Sequence, residues 1–365
     1  MPHNRAMTLE FTAAVKRIPS YPAASGYGEK GDLVHLASNE SPYPPIAEVV
    51  AAAAAAVGGA NRYPDPTSSE LRGALSDRYG VPIEQIAVGN GSCDVLLTMS
   101  EALLEPGAEI VYAWPSFSVY PQLEAASGAS GIRVPLDAHE RHDLEAMAAE
   151  ITVATRLVIV CNPNNPTSTA LPLAQIAEFV ARVPAHVCVL IDEAYCEFSL
   201  LEDPDSSVAL LDEHPNLVLL RTFSKVYGLA GLRAGFALCG SRELPDALVQ
   251  LRQPFFLNAA AQAAALEALR HQDEVARRVE RIAVARVRMV EGLRDLGIEA
   301  ADGHANFCWF DVGEGRDEAQ IVQGLAEQGV LVRSGTALGK EGALRVSFGT
   351  PPENDRFLTA LAALL

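Results

Sequence analysis

The sequence predicts an α/β fold, with a mostly parallel sheet in a large domain and a smaller α+β domain after it. Short apolar, β-branched runs alternate with longer helical patterns between residues 110 and 239, which is typical of a sheet covered by helices on both faces. After residue 245, a long helical stretch to about Leu296 precedes three short strand-like segments. We therefore expect an N-terminal arm over residues 1–45, a large domain over 46–244 and a small domain over 245–365.

The first predicted elements are an extended arm and two helices. The prolines of "NESPYPP", near residue 40, disfavour helix in the residues before them. An arm of this kind usually crosses to a neighbour or covers a cleft. "AAAAAAVGGA", from Ala51, predicts a helix that ends at Gly58 and Gly59. "GSCDVLLTMSEALL", from Gly91, places small polar residues before an apolar-periodic run and predicts another helix.

The predicted strands follow in order. Those of the large sheet are "IVYA" at 110, "IRVPL" at 132, "LVIVCN" at 157, "VCVLIDEAY" at 187, "LVLLRTF" at 217 and "GFALCG" at 235. Those of the small domain are "NFCWFDV", "GVLVRSG" and "LRVSFG". "LPLAQIAEFVARV", from Leu171, predicts a helix between two strands of the large sheet. In parallel sheets of this kind, ligands bind beyond the carboxyl ends of the strands.

Composition and charge exclude several classes of protein. The chain of 365 residues is 49% hydrophobic and 20% charged, as expected of a globular protein with a large core. Its net charge of -18 disfavours nucleic acid or an anionic membrane as the main partner. Any anionic ligand must therefore be bound by a few local groups.

Cysteine spacing and the N-terminus indicate a cytoplasmic protein. The six cysteines form no C-x-x-C pair and lie mostly in apolar runs, which favours buried free thiols in a reducing compartment. The N-terminal segment lacks the apolar core of a signal peptide, and no stretch reaches the length of a membrane span. The eight histidines show no metal-ligand spacing, so we expect no metal.

Four predicted strand ends carry polar residues suited to catalysis. "VGNGSCD" offers backbone N–H groups and a helix N-terminus to an anion. "CNPNNPTS" supplies side-chain amides, and "IDEAYCEF" places Asp192 and Glu193 at a strand end, where a buried carboxylate needs a cationic partner. "RTFSKVYGLAGLRAG" places Lys225 among hydroxyls and glycines, eight residues before Arg233.

An anion cradle, an amide, an acid and a lysine match one cofactor, pyridoxal 5'-phosphate (PLP). PLP carries a phosphate, a phenolic oxygen, a basic ring nitrogen and an aldehyde, and each of these would use one of the four groups. The aldehyde would react with the amine of Lys225.

The chain resembles the fold-type I PLP aminotransferases, in the branch that contains histidinol-phosphate and aromatic amino-acid aminotransferases. The resemblance covers nearly the whole chain. It rests on "SNESPYPP", "NRYPD", "NPNNPT", "DEAY", "TFSKVYGLAGLRAG", "NFCWF" and "LRVSFGTPPENDRFL", in that order.

The resemblance implies the catalytic residues. Lys225 would form the Schiff base with PLP and, once released, would move the proton between the substrate carbon and the cofactor. Asp192 would pair with the pyridine nitrogen and keep it protonated, and Asn165 and Tyr195 would hydrogen-bond the phenolic oxygen. The predicted catalytic residues are Lys225, Asp192 and Tyr195.

The resemblance also implies how phosphate and substrate are bound. The predicted phosphate-binding residues are Ser92, the next residue Cys93 through its N–H, Thr222 or Ser224, and Arg233. Phe117 would stack on the cofactor ring, unless it is an ordinary core aromatic. Tyr63 would reach the phosphate of a neighbouring subunit and make a homodimer part of the site, unless it serves its own chain. Arg345 would bind the substrate carboxylate through its planar guanidinium, with Arg333 and Asn39 beside it.

Three positions depart from the pattern of the branch. Cys93 stands where an acidic residue is common, Ser168 replaces the glycine that usually follows "NPT", and "PYPP", which ends at Pro45, replaces the commoner "PYGP". These departures bear on the fine geometry near the cofactor loops and on the substrate, but none removes a catalytic group.

Several functions are compatible with the motifs. The leading hypothesis is transfer of an amino group between an amino acid, with aromatic ones such as phenylalanine favoured, and a 2-oxo acid such as 2-oxoglutarate. Histidinol phosphate is the alternative donor, since its phosphate would use the same arginines. A PLP-dependent decarboxylase shares the scaffold, and a PLP-binding regulator fused to a DNA-binding module is disfavoured by the negative charge.

Overall fold

The computed structural model describes residues 9–18 and 31–365, and the remainder of the predicted arm lies outside this range. The helices are α1 (Ala13–Arg17), α2 (Ala47–Val57), α3 (Ser69–Tyr79), α4 (Ser92–Leu103), α5 (Tyr120–Ser127), α6 (Leu144–Ala149), α7 (Leu173–Arg182), α8 (Glu243–Leu251), α9 (Ala259–Leu269), α10 (Gln272–Asp295), α11 (Glu318–Glu327) and α12 (Pro351–Ala362). The strands are β1 (Val34–His35), β2 (Ile86–Gly89), β3 (Glu109–Trp114), β4 (Ser130–Pro135), β5 (Thr155–Cys161), β6 (Cys188–Asp192), β7 (Leu217–Thr222), β8 (Gly235–Cys239), β9 (Phe307–Asp311), β10 (Val330–Leu331), β11 (Arg333–Ser334) and β12 (Ala343–Ser347).

The large sheet has seven strands in the order β2-β8-β7-β6-β5-β3-β4. All neighbours from β4 to β7 are parallel, whereas β8 runs antiparallel to both β7 and β2. The predicted α/β fold with a mostly parallel sheet is therefore confirmed, and each of the six predicted strands is present. The sequence analysis did not predict β2, a strand of four residues that directly precedes the glycine turn at the start of α4.

Burial on both faces explains the apolar composition of the central strands. Alternate residues of β5 and β6 pack into two different core clusters, with Val158 and Ile191 on one side and Ile159 and Leu190 on the other. Strands covered by helices on both faces read as continuous apolar runs. The central strands could therefore be predicted from continuous apolar runs, although polar and apolar residues do not alternate in them.

The small sheet is antiparallel, in the order β11-β12-β9. The segment "GVLVRSG", predicted as one strand, forms two. β10 pairs in parallel with β1 of the arm, while β11 pairs with β12. Leu36 extends the arm pairing, since its N–H donates to Leu331 O at 2.8 Å. The described part of the arm thus pairs with β10, which belongs to neither the small sheet nor the large one, before it continues to the large sheet.

The long helical stretch after residue 245 consists of three helices. Pro254 and the positive φ of Phe255 (59°) interrupt the chain between α8 and α9. Asn258 begins α9 as its N-cap, with Oδ1 accepting from the N–H of Ala261 at 2.8 Å.

The three helices at and after the predicted boundary differ in what they contact. α8 packs on α4, and α9 packs on α2 and α3, whereas α10 contacts β9 and α12. Both α2 and α9 are rich in alanine, whose small side chain permits close approach of two helices. The division of the chain at residues 45 and 244 stays a prediction. No helix within the described ranges is long and apolar enough to cross a bilayer.

A buried ion pair joins the carboxyl ends of β6 and β7. Arg221, which is 1% exposed, donates from Nε to Glu193 Oε2 at 2.7 Å and from Nη1 to Asp205 Oδ1 at 2.6 Å. The strand-end carboxylate of Glu193 therefore has the cationic partner that the sequence analysis required. Because Glu193 directly follows Asp192, this ion pair fixes the strand end at the candidate site.

We predict that the two acidic partners of Arg221 contribute very differently to stability. Glu193→Gln leaves a buried guanidinium short of charge compensation and should lower the free energy of unfolding by about 3 kcal/mol. Asp205→Asn, the matched control at the more exposed partner, should cost less than about 1 kcal/mol. Urea denaturation of both variants measures the difference, and equal losses would show that burial of Glu193 does not govern the pair.

Candidate active site

A cavity of about 390 Å³ lies at the edge of the large sheet where β5, β6 and β7 end. The strands reach this edge in register, with Cys161 of β5 opposite Asp192 of β6 and Asp192 opposite Leu220 of β7. Every predicted site residue except Tyr63 lines the cavity, namely Asn39, Ser92, Cys93, Phe117, Asn165, Asp192, Tyr195, Thr222, Ser224, Lys225, Arg233, Arg333 and Arg345.

One end of the cavity is an anion cradle at the N-terminus of α4. Ser92 begins this helix after Gly91, whose φ is +86°. A Cβ at Gly91 would lie 2.3 Å from Nη2 of Arg233, and a Cβ at Gly235 would lie 2.2 Å from the backbone N of Ser92. Glycine is thus required at both positions for the guanidinium and the helix to approach each other. Unpaired helical N–H groups beside an arginine favour a phosphate or another anion.

Two hydroxyl groups complete the cradle, that of Thr222 at the end of β7 and that of Ser224 just after it. Thr222 Oγ1 accepts from the N–H of Ser224 at 3.0 Å, which holds the turn that leads to Lys225. Both side chains are buried at the cavity wall. Cys93, the second residue of α4, also lines the cavity, and burial raises the pKa of its thiol. Its thiol is therefore neutral, unlike the acidic side chain common at this position in the branch that the chain resembles.

Lys225 projects into the cavity from the loop after β7. Its Nζ donates to Ser38 O at 3.2 Å and lies 5.5 Å from the centroid of the Tyr195 ring. Burial of the amine, together with the charge of Arg345, lowers the pKa of Lys225 from 10.5 to about 8. A substantial fraction of the amine is consequently uncharged near neutral pH, as a nucleophile or a base requires.

Asp192 lies at the floor of the cavity and is 4% exposed. Its Oδ2 accepts from Tyr120 Oη at 2.9 Å and its Oδ1 accepts from the N–H of Ala194 at 3.2 Å. Burial raises the pKa of Asp192 to about 6, although the hydrogen bond from Tyr120 opposes the shift. The two hydrogen bonds to this strand-end carboxylate thus come from a phenol and a backbone amide, whereas Glu193 pairs with an arginine.

A polar network faces Lys225 across the cavity. Asn39 Nδ2 donates to Tyr195 Oη at 3.0 Å, and Arg345 Nη1 donates to Asn165 Oδ1 at 2.5 Å. Arg345 also donates from Nη2 to Ala37 O at 2.6 Å, so the arm, the large sheet and β12 meet at this guanidinium. Burial raises the pKa of the Tyr195 phenol, which keeps it protonated.

Two arginines form the cationic wall of the cavity. Arg333 on β11 pairs directly with Arg345 on β12, and both are buried. Like charges at such a cross-strand pair repel each other unless an anion lies nearby. The pair therefore makes this wall of the cavity strongly cationic.

Phe117 and Tyr63 lie in different environments. Phe117 lines the cavity and packs edge-on against Tyr120, with ring centroids 5.7 Å apart. Tyr63 is 80% exposed, outside the cavity of its own chain, and stacks on Phe255 at 4.3 Å. Tyr63 is therefore the one predicted site residue that the fold of this chain does not bring to the cavity.

The structure adds residues that the sequence analysis did not select. Tyr120 bonds Asp192, Ser38 bonds Lys225, and Glu40 lines the cavity near the amine. Tyr120 lies three residues after Phe117 in "AWPSFSVY", and Glu40 directly follows Asn39 in "SNESPYPP". Both lie within motifs already singled out, yet nothing in the residue spacing assigns them a partner.

The serine that departs from the family pattern has a specific role in packing. Ser168 adopts a left-handed conformation, with φ of 63°, which normally favours glycine. Its buried Oγ accepts from the N–H of Ala305 at 2.9 Å, just before β9. The hydroxyl therefore links the loop after β5 to the small sheet, a contact that glycine could not make.

Within the described ranges, no group of three His, Cys, Asp or Glu side chains is placed to hold a metal ion. Fold and site together define an α/β enzyme with an anion cradle, a lysine of lowered pKa and a buried aspartate at one edge of its large sheet.

Comparison with known proteins places the chain in a family. Residues 31–361 match the family "Aminotransferase class I and II", and the chain belongs to that family. It is 41% identical over 356 residues to an aromatic amino acid aminotransferase of Cutibacterium acnes, covering 98% of this chain and 99% of the other. It is 44% identical over 341 residues to histidinol-phosphate aminotransferase 1 of Cupriavidus pinatubonensis, covering 93% of this chain and 90% of the other.

The structure resembles that of a histidinol-phosphate aminotransferase from Sinorhizobium meliloti in complex with PLP, with a TM-score of 0.88, 27% identity and 98% coverage of both chains. The predicted fold-type I aminotransferase is thereby confirmed.

The lowered pKa of Lys225 generates a prediction for the cofactor-free protein. Labelling of Lys225 by pyridoxal and borohydride requires the neutral amine, so its rate should rise about tenfold per pH unit below pH 8 and level off above it. Lys340 is the internal control, since hydrogen bonds to Glu140 and Asp311 outweigh its burial and raise its pKa. Peptide mass spectrometry measures both sites. Matching pH profiles for the two lysines would contradict the proposed environment of Lys225.

Proposed function

We propose that the protein is a PLP-dependent aminotransferase that transfers an amino group from an aromatic amino acid, such as phenylalanine, to a 2-oxo acid such as 2-oxoglutarate. The observation that carries the proposal is the meeting of Lys225, Asp192, the α4 cradle and two arginines in one cavity. The name of the Cutibacterium acnes relative, 41% identical over nearly the full length, supports an aromatic donor.

The residues present fit PLP. The cradle of Ser92 and Arg233 suits the phosphate, because it offers helical N–H groups and a guanidinium where Gly91 and Gly235 permit close approach. Asp192 is a buried carboxylate whose hydrogen bonds come from a phenol and a backbone amide, and it is therefore suited to pair with a cationic ring nitrogen. Lys225, with its partly neutral amine, suits the aldehyde.

Bound PLP supplies an aldehyde for amino groups and a ring that accepts electrons from the α-carbon of the substrate. Lys225 is the base nearest to that chemistry, and its Nζ can take a proton from the substrate and return it as an acid. Asp192, when ionised, favours a protonated ring nitrogen by charge pairing. Asn165 and Tyr195 offer polar groups to a phenolic oxygen, and Asn39 orients Tyr195. Arg345 and Arg333 bind the carboxylate and so orient the α-carbon.

Histidinol phosphate is the second candidate donor. The Cupriavidus pinatubonensis relative supports it, with 44% identity, as does the charge of the cavity wall, since Arg333 and Arg345 suit a phosphate as well as a carboxylate. The two donors place their anionic groups differently, because histidinol phosphate has no α-carboxylate. A direct comparison of the two therefore separates the candidates.

Donor specificity tests the proposed function. The purified enzyme with 2-oxoglutarate should convert phenylalanine, tyrosine and tryptophan with kcat/KM at least about tenfold above that for histidinol phosphate, because the arginine pair binds their carboxylates. Glutamate formation measures turnover. Lys225→Ala should reduce kcat by more than about 1000-fold and abolish borohydride labelling of that position. A preference for histidinol phosphate would favour the second candidate, and full activity of Lys225→Ala would contradict the assignment of Lys225.

We also propose that the active form is a homodimer and that the protein acts in the cytoplasm. Exposed apolar side chains support a second copy as partner, since Val50 and Val57 of α2, Tyr63, Val249 and Phe255 are all exposed. The six cysteines form no disulfide, which suits a reducing compartment. Under this proposal residues 1–45 serve as an arm, 46–244 as the cofactor domain and 245–365 as the small domain.

Tyr63 provides the test of a shared site. Its exposure and its distance from its own cavity support the proposal that its hydroxyl contacts the phosphate bound by the partner subunit. Inactive Lys225→Ala is mixed with Tyr63→Phe of weakened cofactor affinity, and subunits are allowed to exchange. One site of the heterodimer then has both residues intact, so activity should recover to about half of wild type. If activity does not recover although mass spectrometry verifies exchange, Tyr63 does not serve a neighbouring subunit.

A further inference from the structure

Tyr120 is a buried phenol that the proposed chemistry does not use. It is the first residue of α5 and fully buried, and its Oη donates to Asp192 Oδ2 at 2.9 Å. The other hydrogen bond to this carboxylate comes from the backbone N–H of Ala194, at 3.2 Å and to the other oxygen. Tyr120 therefore supplies the shortest of the hydrogen bonds to Asp192.

Packing holds the phenol in a fixed orientation. Its ring lies edge-on to those of Phe117 and Tyr112, with both centroid distances at 5.7 Å. The N–H of Tyr120 also donates to the carbonyl of Phe117 at 3.0 Å. One tight segment thus brings an aromatic ring to the cavity wall and a hydrogen-bond donor to the carboxylate beneath it.

The environment of the pair keeps the phenol a donor. Burial and the negative charge of Asp192 raise the pKa of Tyr120 well above its usual range, so it does not ionise near neutral pH. The titratable groups that face Asp192 from neighbouring elements are Tyr120, Cys161, Cys93, Tyr195 and Lys225. Burial raises the pKa of both thiols and of Tyr195, which leaves Lys225 as the cationic member of this group. Glu193, next along the chain, pairs with Arg221 instead.

We infer that Tyr120 is a positioning residue of the amino-transfer reaction, which holds the carboxylate of Asp192 ionised and in one orientation at the floor of the cavity. A buried carboxylate without a donor would take up a proton and lose its ability to pair with a cationic ring nitrogen. The inference rests on the proposed role of Asp192, because Tyr120 acts through that residue and touches neither the cavity nor its contents.

The test compares Tyr120→Phe with Tyr112→Phe. Each variant removes one oxygen from the same aromatic cluster, but the hydroxyl of Tyr112 bonds Glu124 and Arg133, away from the site. In the PLP-loaded enzyme, Tyr120→Phe should lower kcat between about 10-fold and about 100-fold, as expected for loss of a hydrogen bond to a charged group. KM should change by less than about threefold, and Tyr112→Phe should stay within about threefold of wild type in kcat.

A double-mutant cycle shows whether Tyr120 acts through Asp192. In an Asp192→Ala background, adding Tyr120→Phe should change the residual kcat by less than about twofold, since the acceptor is already gone. If instead the two losses multiply, or if Tyr112→Phe loses as much activity as Tyr120→Phe, the inference is overturned.

Stability of the cofactor-free chain gives a readout that does not depend on turnover. Because the folded pKa of Asp192 is raised, its neutral form stabilises the fold at low pH, and this contribution is lost as pH rises through about 6. Removing the donor should raise that pKa further. The unfolding equilibrium constant of Tyr120→Phe relative to wild type should therefore be about five- to tenfold larger at pH 7 than at pH 5. The corresponding ratio for Tyr112→Phe should be the same at both pH values.

These measurements separate the two proposals. If the wild-type enzyme transfers no amino group, the proposed function fails, while the pH-dependent stability still tests the pair of Tyr120 and Asp192. A loss of stability in Tyr120→Phe that does not depend on pH would show that the phenol serves packing alone, and would overturn the inference.

If Tyr120→Phe does not fold, the folding of the double variant with Tyr120→Phe and Asp192→Asn is measured instead. If the double variant folds, the inference is supported, because the uncompensated charge of Asp192 then explains why Tyr120→Phe alone did not fold. If neither variant folds, the inference is overturned.

Discussion

Three parallel strands, β5, β6 and β7, run in register to one edge of the sheet, and the position of nearly every cavity side chain depends on that register. Cys161, Asp192 and Leu220 lie side by side at this edge. A slip of one residue in β6 would turn Asp192 to the opposite face and bring Glu193 towards the cavity. The buried ion pair of Glu193 with Arg221 opposes such a slip, because it would leave a charge without its partner.

The cavity is positively charged, although the chain as a whole is strongly negative. The chain carries a net charge of -18, yet Arg233, Arg333, Arg345 and Lys225 all face one cavity. Burial also moves the two titratable groups at its centre towards neutrality, since it lowers the pKa of Lys225 and raises that of Asp192. An anionic ligand is therefore attracted locally although the rest of the surface repels it. Cofactor phosphate and substrate carboxylate would each neutralise part of this positive charge.

Much of the fold and most of the site could be predicted from the sequence, for local reasons. Strands buried on both faces are continuous apolar runs, and the polar residues that follow them must collect at one sheet edge. Partners that depend on tertiary contact could not be predicted. Nothing in the spacing of "AWPSFSVY" joins Tyr120 to Asp192, 72 residues away. The segment "GVLVRSG" reads as one strand because its division between two sheets is set by β1 and β12, both distant in sequence. The stacking of Tyr63 on Phe255, outside the cavity of its own chain, likewise depends on a tertiary contact that the sequence pattern does not describe.

The short pairing of β1 with β10 bears on how firmly the arm is held beside Lys225 and Tyr195. Two residue pairs, extended by the N–H of Leu36, join the arm to β10, while the N–H of Ser347 donates to Leu36 O at 2.9 Å. The same arm then carries Ser38 to Lys225 and Asn39 to Tyr195. Arg345, which donates to Ala37 O, and Ser347, which bonds Asn39, hold the same segment to β12, so the ladder and these contacts must open together to release it. Such an opening removes a carbonyl from the lysine and an amide from the tyrosine together, and amide hydrogen exchange at Val34 and Leu36 reports how often the arm leaves both side chains.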